Sequence, residues 1–135
     1  MDTKSKIYCS WSEIEELVDL LCEKIIKSGQ QIEHIFGMPR GGLIPAVMIS
    51  HRLDIPLTLN PDTPNILVVD DICDSGETFK DFYLKHSFAK TACLHFKPHT
   101  SIFNPDFAAN KFFSDNWVVY PWEKLDSETI QDYLK

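Results

Sequence analysis

Apolar residues Ile14, Leu17, Val18, Leu21 and Ile25 recur at three- and four-residue intervals behind Ser12-x-x-Glu15. That spacing predicts an amphipathic helix over residues 12–28, ended near Gly29, with its glutamates in water. Ile32 to Phe36 reads as a short buried strand running into Gly37. Leu43 to Leu53 reads as a second helix, with Pro45 in the first turn where its missing N–H is tolerated. Pro56-Leu57-Thr58-Leu59 is a candidate second strand, and Ile66-Leu67-Val68-Val69 is the clearest one, apolar at every position as a central parallel strand covered on both faces should be. A helix from about Thr78 to His86, a strand over Ala92 to Phe96, an irregular stretch from Pro98 to Asn116 and a strand over Trp117 to Tyr120 follow. Residues after Glu123 read as a closing helix or tail.

Strands alternating with helices predict an α/β fold, a parallel central sheet flanked by helices, with ligands bound beyond the carboxyl ends of the strands. The loops at those ends are Gly37 to Gly42, Asp70 to Thr78, and the segment beginning at Lys97. With 135 residues and no repeat, low-complexity tract or linker, residues 1–135 are expected to form one domain.

Charge and composition narrow the function. A formal charge of -7, with Arg40 and Arg52 the only arginines, leaves no basic face for a nucleic-acid backbone, so nucleic acid is not an expected partner. The segment Met1 to Lys6 is not an apolar signal core and no run approaches membrane-spanning length, which predicts a cytoplasmic protein without a membrane partner. Cys9, Cys22, Cys73 and Cys93 form no C-x-x-C pair and read as free thiols, Cys73 as a packing residue rather than a nucleophile. None of His34, His51, His86, His95 and His99 shows ligand spacing, and none is assigned to catalysis.

The chemistry concentrates in Ile66 to Thr78: a buried strand, adjacent carboxylates Asp70 and Asp71, then Asp74-Ser75-Gly76-Glu77-Thr78 opening a helix. Backbone N–H groups at a helix N-terminus carry partial positive charge, and the Ser75 and Thr78 hydroxyls add donors, so this turn can hold a phosphate. Gly76 lets the backbone come close. Two adjacent aspartates repel each other unless hydroxyl groups or a hard cation engage them. Taken alone, such a pair is commonly one helix cap and one solvated acid.

The whole string resembles the signature of type I phosphoribosyltransferases, four apolar residues, two acids, two variable residues, then Asp-Thr/Ser-Gly-x-Thr. The resemblance implies that Asp70 and Asp71 bind the ribose hydroxyls of phosphoribosyl pyrophosphate (PRPP) and its Mg²⁺, and that Asp74, Ser75, Gly76, Glu77 and Thr78 hold the 5′-phosphate. It also puts Asp74 near purine N7 as a candidate proton acceptor. Gly37-Met38-Pro39-Arg40-Gly41-Gly42-Leu43-Ile44-Pro45 resembles the pyrophosphate loop of the bacterial xanthine-guanine branch, which implies pyrophosphate binding by Arg40 and Gly41 and a cis peptide between Pro39 and Arg40. Leu94 to Pro98 and Asn116 to Glu123 resemble that branch's purine-binding segments: Trp117 would stack on the base, Lys97 would meet the 6-oxygen, and Val118 would offer backbone contacts. An ammonium has three donors and no acceptor, so a lysine there favours guanine, xanthine or hypoxanthine over adenine. Residues of about 98–123 would form a small base-binding hood.

Members of this family carry a long mobile lid before the PRPP strand. Here only Leu57 to Asn65, nine residues holding Pro61 and Pro64, separate Pro56 from Ile66. So tight a connection cannot supply a folding flap. Two enzyme-class and binder-class readings stay open: a purine phosphoribosyltransferase whose lid role has passed to Pro98–Asn116 or to a partner subunit of a homo-oligomer, and a non-catalytic regulator that binds PRPP or a purine nucleotide. A response-regulator receiver domain shares the Val-Asp-Asp strand, but there that strand comes near the N-terminus and the Ser-Gly-x-Thr continuation has no role.

Overall fold

The computed structural model describes residues 5–124, so the closing helix or tail expected after Glu123 lies almost wholly outside the described residues. The elements are β1 (Lys6–Tyr8), α1 (Trp11–Ser28), β2 (His34–Gly37), α2 (Leu43–Leu53), β3 (Ile66–Cys73), α3 (Glu77–Lys85), β4 (Lys90–Phe96), β5 (Phe107–Lys111) and β6 (Trp117–Val119). The central sheet runs β2-β3-β4-β5, parallel throughout, and β1 pairs with β6 as a separate two-stranded parallel sheet. This is the α/β arrangement expected from the alternation of elements.

Several boundaries differ from the sequence reading, each for a physical reason. The α1 cap is Ser10, not Ser12: its hydroxyl accepts the Glu13 N–H at 3.1 Å while Glu13 reaches back to the Ser10 N–H at 3.2 Å. Both serines begin a Ser-x-x-Glu string. The bond from Cys9 N–H to Val119 O, 2.9 Å, anchors the chain just upstream and lets the helix start at Trp11. Ser10→Ala is therefore expected to cost about 1 kcal/mol in urea unfolding, with Ser12→Ala near neutral. Equal costs for the two would contradict the assignment.

Pro56 to Leu59 does not form a strand; one parallel bridge, Ile35 to Leu57, is all that remains of it. The stretch expected to be irregular contains β5, and β1 was not foreseen at all. Strand β3 does not stop at Val69 but runs through both aspartates to Cys73.

The single bridge at Leu57 still sets the topology. Helix α2 carries the chain from β2 outward to Leu57, whereas α3 carries it from β3 the other way to β4. Right-handed crossovers in opposite directions put their helices on opposite faces. Accordingly Ala46 and Ile49 of α2 join Ile14, Val18 and Leu21 of α1 in the larger core cluster, and Phe79 of α3 packs in the smaller one with Ile66, Val68 and Cys93. The strand order reverses between β2 and β3, and the crevice beyond their carboxyl ends is where such a sheet binds ligands.

The nine-residue connection over 57–65 folds on itself. Thr58 and Thr63 hydroxyls lie 3.0 Å apart, Asn60 Oδ1 accepts the Asp62 N–H at 3.0 Å, and Asp62 approaches His86, the C-cap of α3, at 2.9 Å. It is a compact turn rather than a flap. No described helix is long and apolar enough to cross a membrane.

Candidate active site

The loop after β2 is built from the backbone outward. Met38 N–H donates to Val69 O at 2.8 Å, Gly42 N–H to Met38 O at 2.8 Å, and the peptide between Pro39 and Arg40 is cis, as the resemblance implied. These bonds lay the loop against the end of β3, so closely that a Cβ on Gly41 would sit 2.0 Å from Asp71 Oδ2. Glycine is required there by close approach, and Gly41 and Asp71 are thereby brought face to face. Arg40 stands exposed at the crest.

Asp70 and Asp71 lie within β3, half-buried. Asp70 Oδ1 accepts the N–H of Asp71 at 2.8 Å and Asp71 Oδ1 accepts that of Ile72 at 2.7 Å. The strand's alternation skips a beat across the pair: Leu67, Val69 and Ile72 face the larger cluster, Ile66, Val68 and Cys73 the smaller. Each carboxylate is oriented by a local backbone donor, which is how two like charges are held at adjacent positions.

Helix α3 begins at Glu77, one residue before the sequence reading, with Gly76 at the N-cap in the left-handed conformation, φ 83°. The N-cap glycine has no side chain to bond the first turn's N–H groups, which makes this end receptive to an anion. Ser75 Oγ accepts the Glu77 N–H at 3.3 Å, and Thr78 follows in the first turn.

The segment after β4 braces this turn, which the sequence did not announce. Thr100 Oγ1 lies 2.8 Å from Asp74 Oδ1, Ile102 N–H donates to Ser75 O at 2.8 Å, and Ser101 Oγ sits 3.3 Å from Cys73 Sγ. Lys97 is neither a solvated strand end nor an exposed base contact. It is 1% exposed, its Nζ donates to Asn116 O at 2.8 Å, approaches Asp74 Oδ2 at 3.6 Å and lies over the Phe112 ring at 5.7 Å. Trp117 and Val118 open β6 right after Asn116; Val118 is buried, and Trp117 Nε1 is buried without a hydrogen-bond partner among the described residues. His99 stays at the surface against Asp115, 3.0 Å away.

A second unforeseen group ties the chain just after β6 to the acidic pair. Tyr120 OH donates to Asp71 O at 3.2 Å and lies 2.7 Å from His95 Nδ1, which assigns the proton of the neutral imidazole to Nδ1. Burial, assisted by the Lys97 ammonium and opposed by Glu13, lowers the His95 pKa to about 4. Burial first, then the Asp71 charge, raises Tyr120 well above its usual range, so both stay neutral. Burial, with Asp70 and Asp74 adding, likewise raises Cys73 to about 11 despite its bond to Ser101. A thiol held protonated is no nucleophile. Among the described residues no three of His, Cys, Asp or Glu gather into a metal-binding group.

No protein-family profile matches the chain. Individual proteins do. It is 26% identical over 142 residues to the xanthine-guanine phosphoribosyltransferase of Idiomarina loihiensis, covering 87% of each. Among solved structures it is similar to a Neisseria gonorrhoeae protein with bound ppGpp, with 25% identity, a TM-score of 0.76 and 93% of each chain covered. It is also similar to the purine phosphoribosyltransferase of Pyrococcus horikoshii, with 30% identity and a TM-score of 0.75, covering 91% of this chain and 97% of that one. Agreement over almost the full length of that enzyme, on a sheet whose switch point carries the Arg40 loop, the acidic pair and the Asp74 to Thr78 turn, makes this chain a member of the type I phosphoribosyltransferase family.

Proposed function

We propose that the protein transfers the phosphoribosyl group of PRPP to a 6-oxopurine, breaking the bond from C1′ to pyrophosphate and forming one from C1′ to N9 of guanine, xanthine or hypoxanthine. The observation that carries this reading is the buried Lys97 ammonium beside Asp74, a donor-only group next to an acceptor at the mouth of the phosphate turn. Such a pair complements a base presenting a 6-oxygen and an N7 proton, and leaves adenine's amino group unmatched.

The roles follow from the donors and acceptors. Gly41, Arg40 and the adjoining amides take the pyrophosphate, Arg40 through its planar fork. Asp74, Ser75, Gly76, Glu77 and Thr78 take the 5′-phosphate at the start of α3, and Asp70 and Asp71 the ribose hydroxyls. Residues 98–123 act as the hood, with Trp117 against the base and Val118 offering its backbone, and Asp74 receives the N7 proton. Mg²⁺ fits the site: two oriented carboxylates supply hard oxygen ligands, and with no third protein ligand gathered among the described residues, PRPP oxygens and water would complete the shell. The bound cation would neutralise the leaving pyrophosphate.

A second reading is favoured by two observations. The 57–65 connection is a self-bonded turn that cannot close over the crevice, and a similar protein, matched over 93% of each chain, carries ppGpp. On that reading the chain binds a purine nucleotide as a regulator without turnover. The full chain incubated with PRPP, Mg²⁺ and each of guanine, xanthine, hypoxanthine and adenine, followed by mass spectrometry, separates the two. A nucleoside monophosphate from the 6-oxopurines but not adenine is the expected result. No product at high protein concentration, together with calorimetric binding of GMP or ppGpp, would overturn the transferase in favour of the regulator.

A further inference from the structure

Thr100 takes no individual role above beyond its place in residues 98–123, yet it holds the reacting carboxylate. Its Oγ1 is 2.8 Å from Asp74 Oδ1, 3.0 Å from Asp74 O and 3.4 Å from Lys97 O. A hydroxyl has one proton to give, and Oδ1 is both the nearest acceptor and the charged one, so the charge-assisted bond prevails. The other oxygen of the same carboxylate, Oδ2, faces Lys97 Nζ at 3.6 Å, and that ammonium is fixed in turn by Asn116 O at 2.8 Å. The carboxylate is therefore gripped from two sides by Thr100 and Lys97 of one turn, the lysine being fixed in its turn by Asn116 from a later segment.

The turn presenting Thr100 is itself tied down. Thr100 and Ser101 N–H groups both donate to Lys97 O, at 3.2 and 3.1 Å, and Ser101 Oγ donates to Phe103 O at 2.7 Å. Ring contact between Phe103 and Phe79, centroids 5.6 Å apart, anchors the far end on α3. A group that must meet one atom of a substrate needs its rotamer set within about 0.5 Å by neighbours that do not themselves react.

We infer that Thr100 is a positioning residue: by donating to Asp74 Oδ1 it fixes the carboxylate so that Oδ2, beside Lys97, is the oxygen that accepts the N7 proton of the base. The inference rests on the proposed role of Asp74.

The test compares GMP with 9-deaza-GMP, in which N7 carries a proton, by calorimetry on the full chain of wild type, Thr100→Val and Thr100→Ser. Valine keeps the branched shape without the donor, and serine keeps the donor. Wild type is expected to favour 9-deaza-GMP on the order of tenfold through a hydrogen bond to a charged acceptor. Thr100→Ser keeps that ratio, and Thr100→Val brings it close to one while binding GMP about as well as wild type. A Thr100→Val ratio equal to wild type overturns the inference, as does equal loss of both ligands, which would make Thr100 only part of the turn's architecture. No preference in wild type itself would instead remove the proton-accepting role of Asp74, and Thr100's with it.

Discussion

A Gly41→Ala variant is expected to lose PRPP affinity by about a hundredfold, the upper range for disturbing a residue that orients a metal ligand. The added methyl would sit 2.0 Å from Asp71 Oδ2 and 2.6 Å from its Cγ. Asp71 cannot swing aside without cost, because its Oδ1 accepts the Ile72 N–H at 2.7 Å and its own N–H is given to Asp70 at 2.8 Å. Either the carboxylate turns away from the crevice or the Arg40 loop lifts from the end of β3, and each outcome separates the two halves of the site. Since the collision is with a side chain at the sheet's open end, stability should fall by no more than about 1 kcal/mol, within the ordinary range for a single substitution. Gly42→Ala is the control with the opposite balance. Its methyl would meet backbone, Val69 O at 2.2 Å and Asp70 Cα at 2.9 Å, so it should unfold the protein more readily. Calorimetry with PRPP and Mg²⁺ beside urea unfolding of both variants decides it. Wild-type PRPP binding by Gly41→Ala would mean that the contact with Asp71 does not matter.

The residues legible from sequence were those whose signal is local. The apolar run Ile66 to Val69, its two acids and the glycine turn lie within thirteen consecutive positions, and the order of strand, loop and helix around Gly37 to Gly42 needs no distant partner. What escaped notice depends on contacts made far along the chain. Strand β1 is exposed at all three positions and exists only because Lys6, Ile7 and Tyr8 pair with Trp117, Val118 and Val119. Strand β5, Phe-Ala-Ala-Asn-Lys, buries only Phe107 and Ala109, too weak an alternation to stand out. It is an edge strand, and Lys24 of α1 donates to its Ala108 O at 2.7 Å, giving one edge carbonyl a partner. Lys97 stood out in the sequence, but its burial did not, because Asn116 and Phe112 come from a later segment. Thr100 and Tyr120 give no sequence signal: a threonine in a turn and a tyrosine after a short strand are ordinary until Asp74 and Asp71 are seen beside them.

The His95 and Tyr120 pair makes stability depend on pH in a way that can be isolated. Folded His95 has a pKa of about 4, against about 6.5 in an unfolded chain, because burial disfavours the imidazolium. Between those values the unfolded state binds more protons than the folded one, so stability rises with pH across the window and is lost as pH falls through it. The full contribution is present above pH ~6.5, and roughly 3 kcal/mol should be gone by pH ~4. Carboxylates elsewhere titrate in the same acid range, so the wild-type curve alone does not assign the effect. His95→Phe does, since a phenyl ring suits a site already flanked by Phe112 and Tyr120, with ring centroids 5.5 and 5.6 Å from the imidazole. In that variant Tyr120 OH keeps its bond to Asp71 O, 3.2 Å in the wild type. Urea unfolding of both proteins from pH 7.5 down to about pH 4 should give curves that close on, then pass, one another, the variant gaining roughly 3 kcal/mol relative to wild type. Parallel curves would show that His95 does not resist protonation. PRPP binding measured over the same range carries the effect to the site: protonating His95 adds a proton at Nε2 and puts a charge into the buried packing around Tyr120, the group that holds the Asp71 carbonyl. Acid should therefore weaken ligand binding in the wild type more steeply than in His95→Phe.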